Sequence, residues 1–162
     1  MIIEAPFEAT SLSQTKPGDL IRLAHSSGAL GLVIHGGASL PVVGVLQDVR
    51  GTVPYHIVYQ RDFPCFRYNA GWLLELRKED AVIAGDAHSG VPGVVHVGQR
   101  GTMITFAPYD HSENSITVNL VSFEWDEEGS HAAAFPVWTI WSSAEDRKRQ
   151  GAQPIIRFAV PA

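Results

Sequence analysis

The run Lys16-Pro17-Gly18-Asp19-Leu20-Ile21-Arg22-Leu23-Ala24 decides the fold class, together with the strand and turns after it. Lys16-Pro17-Gly18-Asp19 reads as a turn, because Pro fixes φ and Gly accepts a positive one. It launches a short apolar strand, Leu20-Ile21-Arg22-Leu23-Ala24. Ser26-Ser27-Gly28 then turns the chain into Leu30-Gly31-Leu32-Val33-Ile34-His35, and Gly36-Gly37 ends that run. Turn, strand, turn, strand at this spacing is the pattern of an all-β protein.

The same punctuation continues outward. Residues 41–49 read as a strand, with Gly44 marking a bend or bulge. Tyr55-His56-Ile57-Val58-Tyr59 alternates, so Tyr55, Ile57 and Tyr59 share one face. Trp72, Leu74 and Leu76 do the same opposite Glu75 and Arg77. After Lys78-Glu79-Asp80 the pattern restarts, with strand candidates at 81–84, 91–97, 102–106, 115–123 and 135–141. Within 115–123 the apolar phase changes, which predicts either a bulge near Leu120 or burial of both faces. In the last of these strands Trp138 and Trp141 fall on opposite faces, one of them toward the core. Ser142-Ser143-Ala144-Glu145 reads as a capping box on one short C-terminal helix, with Ser142 as its cap. Arg147, Lys148 and Arg149 suit the negative end of that helix, and Gly151 and Pro154 stop it. A closing strand comes last, at 155–160.

Composition agrees. The chain has 162 residues, 45% of them hydrophobic and 18% charged, enough apolar material for a sizeable core. Sixteen Val and eleven Ile stand against eleven Leu, and 15 Gly and 10 Pro punctuate them, which disfavours a helical bundle. A net charge of −5 argues against a surface that coats nucleic acid, although nine Arg to three Lys leaves room for a local basic patch. Cys65 is alone, so no intramolecular disulfide forms, and its setting in Phe63-Pro64-Cys65-Phe66 predicts a buried, inert thiol. Met1-Ile2-Ile3-Glu4-Ala5-Pro6 has no signal-peptide pattern, and no apolar run approaches the ~20 residues that span a bilayer. A cytoplasmic protein without membrane contact is the expectation.

A short internal likeness divides the chain. Residues 24–37 resemble residues 87–98 once two single-residue gaps are allowed, which points to a tandem duplication. The expected organisation is an N-terminal lead-in (1–15), a first unit (16–79), a second unit (80–141) and a C-terminal helix with its closing strand (142–162). The segments Pro17-Gly18-Asp19-Leu20-Ile21, Gly31-Leu32-Val33-Ile34, Val42-Val43-Gly44-Val45-Leu46 and Trp72-Leu73-Leu74-Glu75-Leu76 together resemble the SH3-like and Sm-like small β-barrels. The likeness covers about residues 16–80 and recurs over 81–141. It implies a small antiparallel β-barrel, present in tandem or enlarged into one barrel by duplication, and a role in binding peptides, RNA or other subunits. It carries over no functional residue, and fold likeness alone does not fix function.

No nucleophile elbow, Walker loop, His-Glu-x-x-His, paired Cys-x-x-Cys or dinucleotide glycine fingerprint is present, which excludes the easily read enzyme classes. The expectation is therefore a non-enzymatic binding or assembly module that needs no cofactor and acts on a protein partner or on itself as a homo-oligomer. Its candidate surface is Tyr55, Tyr59, Phe63, Phe66 and Trp72 with Arg61 and Arg67, since aromatics and arginines supply much interface energy. The same mixture stacks on unpaired bases, which makes an RNA-binding module one alternative. The other is a metal-binding protein or metal-dependent enzyme. Asp86 and His88, two apart, would face the same way in a strand and with His96 offer carboxylate and imidazole ligands, whereas in a Gly-flanked turn both would meet water. Pro92-Gly93-Val94-Val95-His96 resembles a fragment of the cupin metal motif, without the upstream histidine pair and glutamate. Asp126-Glu127-Glu128-Gly129 reads as a solvated turn.

Overall fold

Strands account for most of the regular structure, and the reason is local: β-branched residues at alternate positions between Gly- and Pro-bearing turns. The structure is a computed structural model that describes residues 7–24, 28–36, 41–49, 54–83, 88, 90–110, 114–126 and 131–160. The first half holds β1 (Phe7–Ser11), β2 (Leu20–Leu23), β3 (Leu30–Ile34), β4 (Val42–Gln47), β5 (Tyr55–Val58), β6 (Pro64–Tyr68) and β7 (Leu73–Glu75). The second holds β8 (Val82–Ile83), β9 (Val95–Gly98), β10 (Gly101–Pro108), β11 (Ile116–Asn119), β12 (Trp125–Asp126), β13 (His131–Phe135) and β14 (Val137–Trp141). Among the described residues one α-helix, α1 (Ala144–Lys148), and a last strand, β15 (Ile156–Ala159), follow, and short 3-10 turns lie at Leu12–Gln14 and Lys78–Asp80. The all-β class is correct. No helix among the described residues is long and apolar enough to cross a membrane.

The two halves take one strand path. The first is ordered β1-β6-β2-β3-β4-β5 and the second β8-β13-β9-β10-β11-β12, with every neighbouring pair antiparallel. A short parallel pairing of β5 with the end of β10 merges them into one twelve-stranded sheet. β7 and β14 leave it and pair with each other in a second sheet, which β15 completes.

Neither sheet closes into a barrel. Closure of the first half would need β5 to meet β6. Both edges of β5 are taken, by β4 and β10, and both edges of β6 are taken, by β1 and β2.

Matching hydrogen bonds fix the correspondence residue by residue. The Gly18 N–H donates to the Val33 carbonyl (2.9 Å) and the Gly93 N–H to the Thr105 carbonyl (2.8 Å). Both glycines have positive φ, 91° and 85°, the conformation that a Cβ opposes. Trp72 donates its indole N–H to the Gly18 carbonyl (3.1 Å), as Trp138 does to that of Gly93 (2.7 Å). Pro17-Gly18 therefore stands with Pro92-Gly93 and β2 with β9, a different register from the likeness of 24–37 to 87–98. That likeness set a β3 stretch against β9, and pairing between strands overrules similarity along one of them.

Between the halves the contacts are reciprocal. His35 donates its N–H to the Phe123 carbonyl (2.7 Å), and Ala107, which stands in the place of His35, donates to that of Pro54 (2.9 Å). Leu74 pairs with Ile140, its own counterpart. This is the geometry of a two-fold dimer interface inside one chain. One core lies along it, built from like with like: Leu20 and Val95, Leu32 and Ile104, Ile34 and Phe106, Leu46 and Leu120, Tyr68 and Phe135, Trp72 and Trp138.

Several local expectations change. β1, within the expected lead-in, and β6, β12 and β13 are strands that the pattern did not mark. The phase change near Leu120 is a turn and not a bulge: β11 ends at Asn119, whose side-chain oxygen accepts the N–H groups of Val121 (2.9 Å) and Ser122 (3.3 Å). The helix cap is Ser143, which accepts the Asp146 N–H at 3.0 Å, because the Ser142 hydroxyl donates to the Asp146 carboxylate. Trp138 is the core member of its pair, and Trp141 donates its indole N–H to Glu75 (2.7 Å).

Candidate functional site

Each half has a far face, turned away from the shared core. In the first half that face is a second apolar core of Leu12, Ile21, Leu23, Val33, Val43, Val45 and Cys65, edged by Tyr55, Ile57, Tyr59 and Phe63. The strand pairings give the counterparts in the second half. Ile21 becomes His96, Val33 becomes Thr105, Val43 becomes Thr117, Val45 becomes Asn119 and Ile57 becomes Asp126. Cross-strand partners project to the same side, so these polar groups share the face that is apolar in the first half.

His96 and Thr105 are 1% and 2% exposed, as deep as the valines and isoleucines they replace. The hydroxyls of Thr105 and Thr117 lie 3.3 Å apart. Asn119 donates to the Arg100 carbonyl (3.0 Å), and Arg100 in turn reaches the Asp126 carboxylate (2.8 Å). A cleft of about 380 Å³ opens here, lined by Thr105, Ser115, Thr117 and Asp126 together with Gly90, Ile116 and Trp125. Its walls offer hydroxyl groups and a carboxylate whose charge Arg100 offsets.

The sequence did not single out Thr105, Thr117 or Asn119. Thr105 and Thr117 occupy the polar phase of strands whose other phase is apolar, which reads as an ordinary solvent face. Only their pairing against Val33 and Val43 reveals them. Asp126, expected in a solvated turn, is instead the last residue of β12 and half-buried.

The metal candidates are divided. Asp86 lies outside the described residues. His88 is half-buried ahead of β9, and its carbonyl lies 3.5 Å from the Val91 amide. His96 is buried on β9. Among the described residues no three His, Cys, Asp or Glu side chains come together as a metal site.

The aromatic and arginine candidates spread over several surroundings. Tyr55, Tyr59 and Phe63 edge the first half's own core, with the Tyr59 and Phe63 rings edge to face at 4.6 Å. Burial, with Tyr55 and Tyr109 nearby, pushes the Tyr59 phenol up to about 12. Cys65 is buried beneath them, and burial raises its thiol too. Phe66, 40% exposed, meets Phe7 at 5.4 Å on the opposite side of β6. Arg67 is held charged by Glu8, with Asp19 also close, and Arg61 is exposed in the turn after β5. Trp72 packs on the shared core. Compared with known proteins, the chain significantly matches no family model, no curated protein and no solved structure.

Proposed function

We propose that this chain is a non-enzymatic binding module made by duplication of one β unit, in which the first copy is scaffold and the second carries a cleft for a small polar ligand. A meander of four strands whose fifth returns to the first is what a five-stranded small barrel needs. We therefore read each half as such a barrel, opened where the two fuse. The observation behind the binding role is the exchange of Ile21, Val33, Val43 and Ile57 for His96, Thr105, Thr117 and Asp126 at matched positions. Each such exchange costs about 1–3 kcal/mol of burial unless the polar group is paired. The first half demonstrates that the fold itself accepts an apolar core there. Thr105 and Thr117 meet each other and Asp126 meets Arg100, so the exchange is supported within this half while hydroxyl and carboxylate groups line the cleft. Because Arg100 already meets the Asp126 carboxylate, the ligand this cleft suits is neutral and rich in hydrogen-bonding groups.

The test is an amide NMR screen of the whole chain against sugars, polyols, nucleosides, small amides, Zn2+ and Mn2+. A neutral compound that saturably shifts Thr105, Ser115, Thr117 and Asp126, and loses its effect in Thr105→Val/Thr117→Val, supports the reading. If nothing in the panel moves those residues, or the double variant binds equally well, the cleft is not the site. A metal response there, lost in His96→Gln, replaces this reading with metal binding.

A further inference from the structure

The second sheet departs from the matching of the two halves. β14 is paired on both edges, by β7 and by β15. Its counterpart β7 is paired on one edge, by β14, and among the described residues no strand covers the other. The cause lies in the chain path. After β14 the chain forms α1 and returns as β15, whereas after β7 it turns through Lys78–Asp80 into β8.

What β15 does for β14 is specific. Its register sets Ile156 opposite Ile140 and Phe158 opposite Trp138. The Phe158 ring stacks on Trp138 at 4.8 Å with an 18° interplanar angle. Trp138 is left 1% exposed. Trp72, which makes the same indole hydrogen bond to its own turn glycine, is half-buried and stacks with no ring among the described residues. The Phe123 ring lies against Gly18, as Phe158 does against Gly93, so the glycine is already covered, and the place left unpaired among the described residues is the outer edge of β7, beside the half-buried Trp72. β7 is short and its one charge, Glu75, is tied to Trp141 and Arg147, so neither a free charge nor Lys or Pro blocks its outer edge.

We propose that the outer edge of β7 receives an extended strand from a partner protein, laid antiparallel as β15 lies on β14. The partner segment carries two apolar side chains separated by one residue. The first faces Leu74 as Ile156 faces Ile140, and the second faces Trp72 as Phe158 faces Trp138. Main-chain hydrogen bonds supply affinity and the two apolar contacts supply register. The site is separate from the polar cleft, and neither depends on the other.

The chain contains its own probe. A synthetic peptide of residues 153–160 (Gln-Pro-Ile-Ile-Arg-Phe-Ala-Val) presents that chemistry and is added to the intact protein. The expected result is saturable shifts of the Trp72 indole and the residue 73–75 amides, with new exchange protection on β7. A peptide bearing Ile156→Asp and Phe158→Asp should bind at least about tenfold more weakly. Four results overturn the proposal: no shift at millimolar peptide, equal binding of the two peptides, shifts confined to β14 as the peptide displaces β15, or β7 amides already protected throughout in the free protein. Concentration-dependent broadening of residues 72–75 without peptide would overturn it in favour of a second copy of this chain as the occupant.

Discussion

Where the two halves meet, Leu20 answers Val95, Leu32 answers Ile104 and Trp72 answers Trp138; on the far faces Val33 answers Thr105 and Val43 answers Thr117. The first set must satisfy both halves at once, so a change on either side is felt by the other. The second set belongs to one half alone. Two halves that follow one strand path thus separate what that path requires from what one half can spare, and the spared positions are where we propose function.

The shared core sets the largest expected effect. Phe106→Ala should cost about 3–5 kcal/mol, and urea unfolding should remain a single transition in which both halves lose structure together. Two separate transitions would break the idea of one core. Next comes the contrast between far faces. Val43→Thr should lose about 1–3 kcal/mol by burying a hydroxyl among aliphatic neighbours. The double change Thr105→Val/Thr117→Val should stay within about 1 kcal/mol of the parent, because both members of one hydroxyl pair are removed together. Equal losses would erase the difference between the halves. A third change probes steric matching: a Cβ at Gly44 would lie 2.5 Å from the Phe106 ring, whereas its counterpart is Val118. Gly44→Ala should cost about 1–3 kcal/mol. Adding Phe106→Ile, the residue found at position 34, should recover part of that loss, measurable as a non-additive double-mutant cycle.

The smallest effect is alkaline. The Tyr59 phenol is raised from 10.0 to about 12 by burial at the edge of the first half's own core. The folded protein then holds a proton that the unfolded chain has released, so stability falls as pH rises through that interval. Ultraviolet difference titration should find the Tyr59 component late, and Tyr59→Phe should flatten the alkaline decline in stability. A normal Tyr59 titration would mean that this edge is open to water.

Much of the fold was legible because turns and alternation are local. Pro17-Gly18 and the phase of Trp72, Leu74 and Leu76 could be read without knowing what they pack on. β1, β6 and β13 were not, since Pro64 opens β6 and three consecutive alanines, Ala132, Ala133 and Ala134, weaken the signal of β13. Their partners, not their composition, make them strands. The candidate site was less legible for the same reason. Tyr55 to Trp72 is rich in rings, but strand alternation and the turn between β5 and β6 send those rings to separate surroundings. Thr105 and Thr117 look ordinary until each is set beside the valine that takes its place in the other half.

The reciprocal bonds from His35 to Phe123 and from Ala107 to Pro54, with Leu74 against Ile140, have one more consequence. In two separate chains such a contact persists only while its affinity exceeds dilution. Joined in one polypeptide, the partners face each other at an effective concentration in about the millimolar range, whatever the protein's abundance. Tethering therefore relieves each half of having to dissociate and rejoin intact. It gives one of them the latitude to trade aliphatic side chains for polar ones, while its neighbour continues to hold the joint.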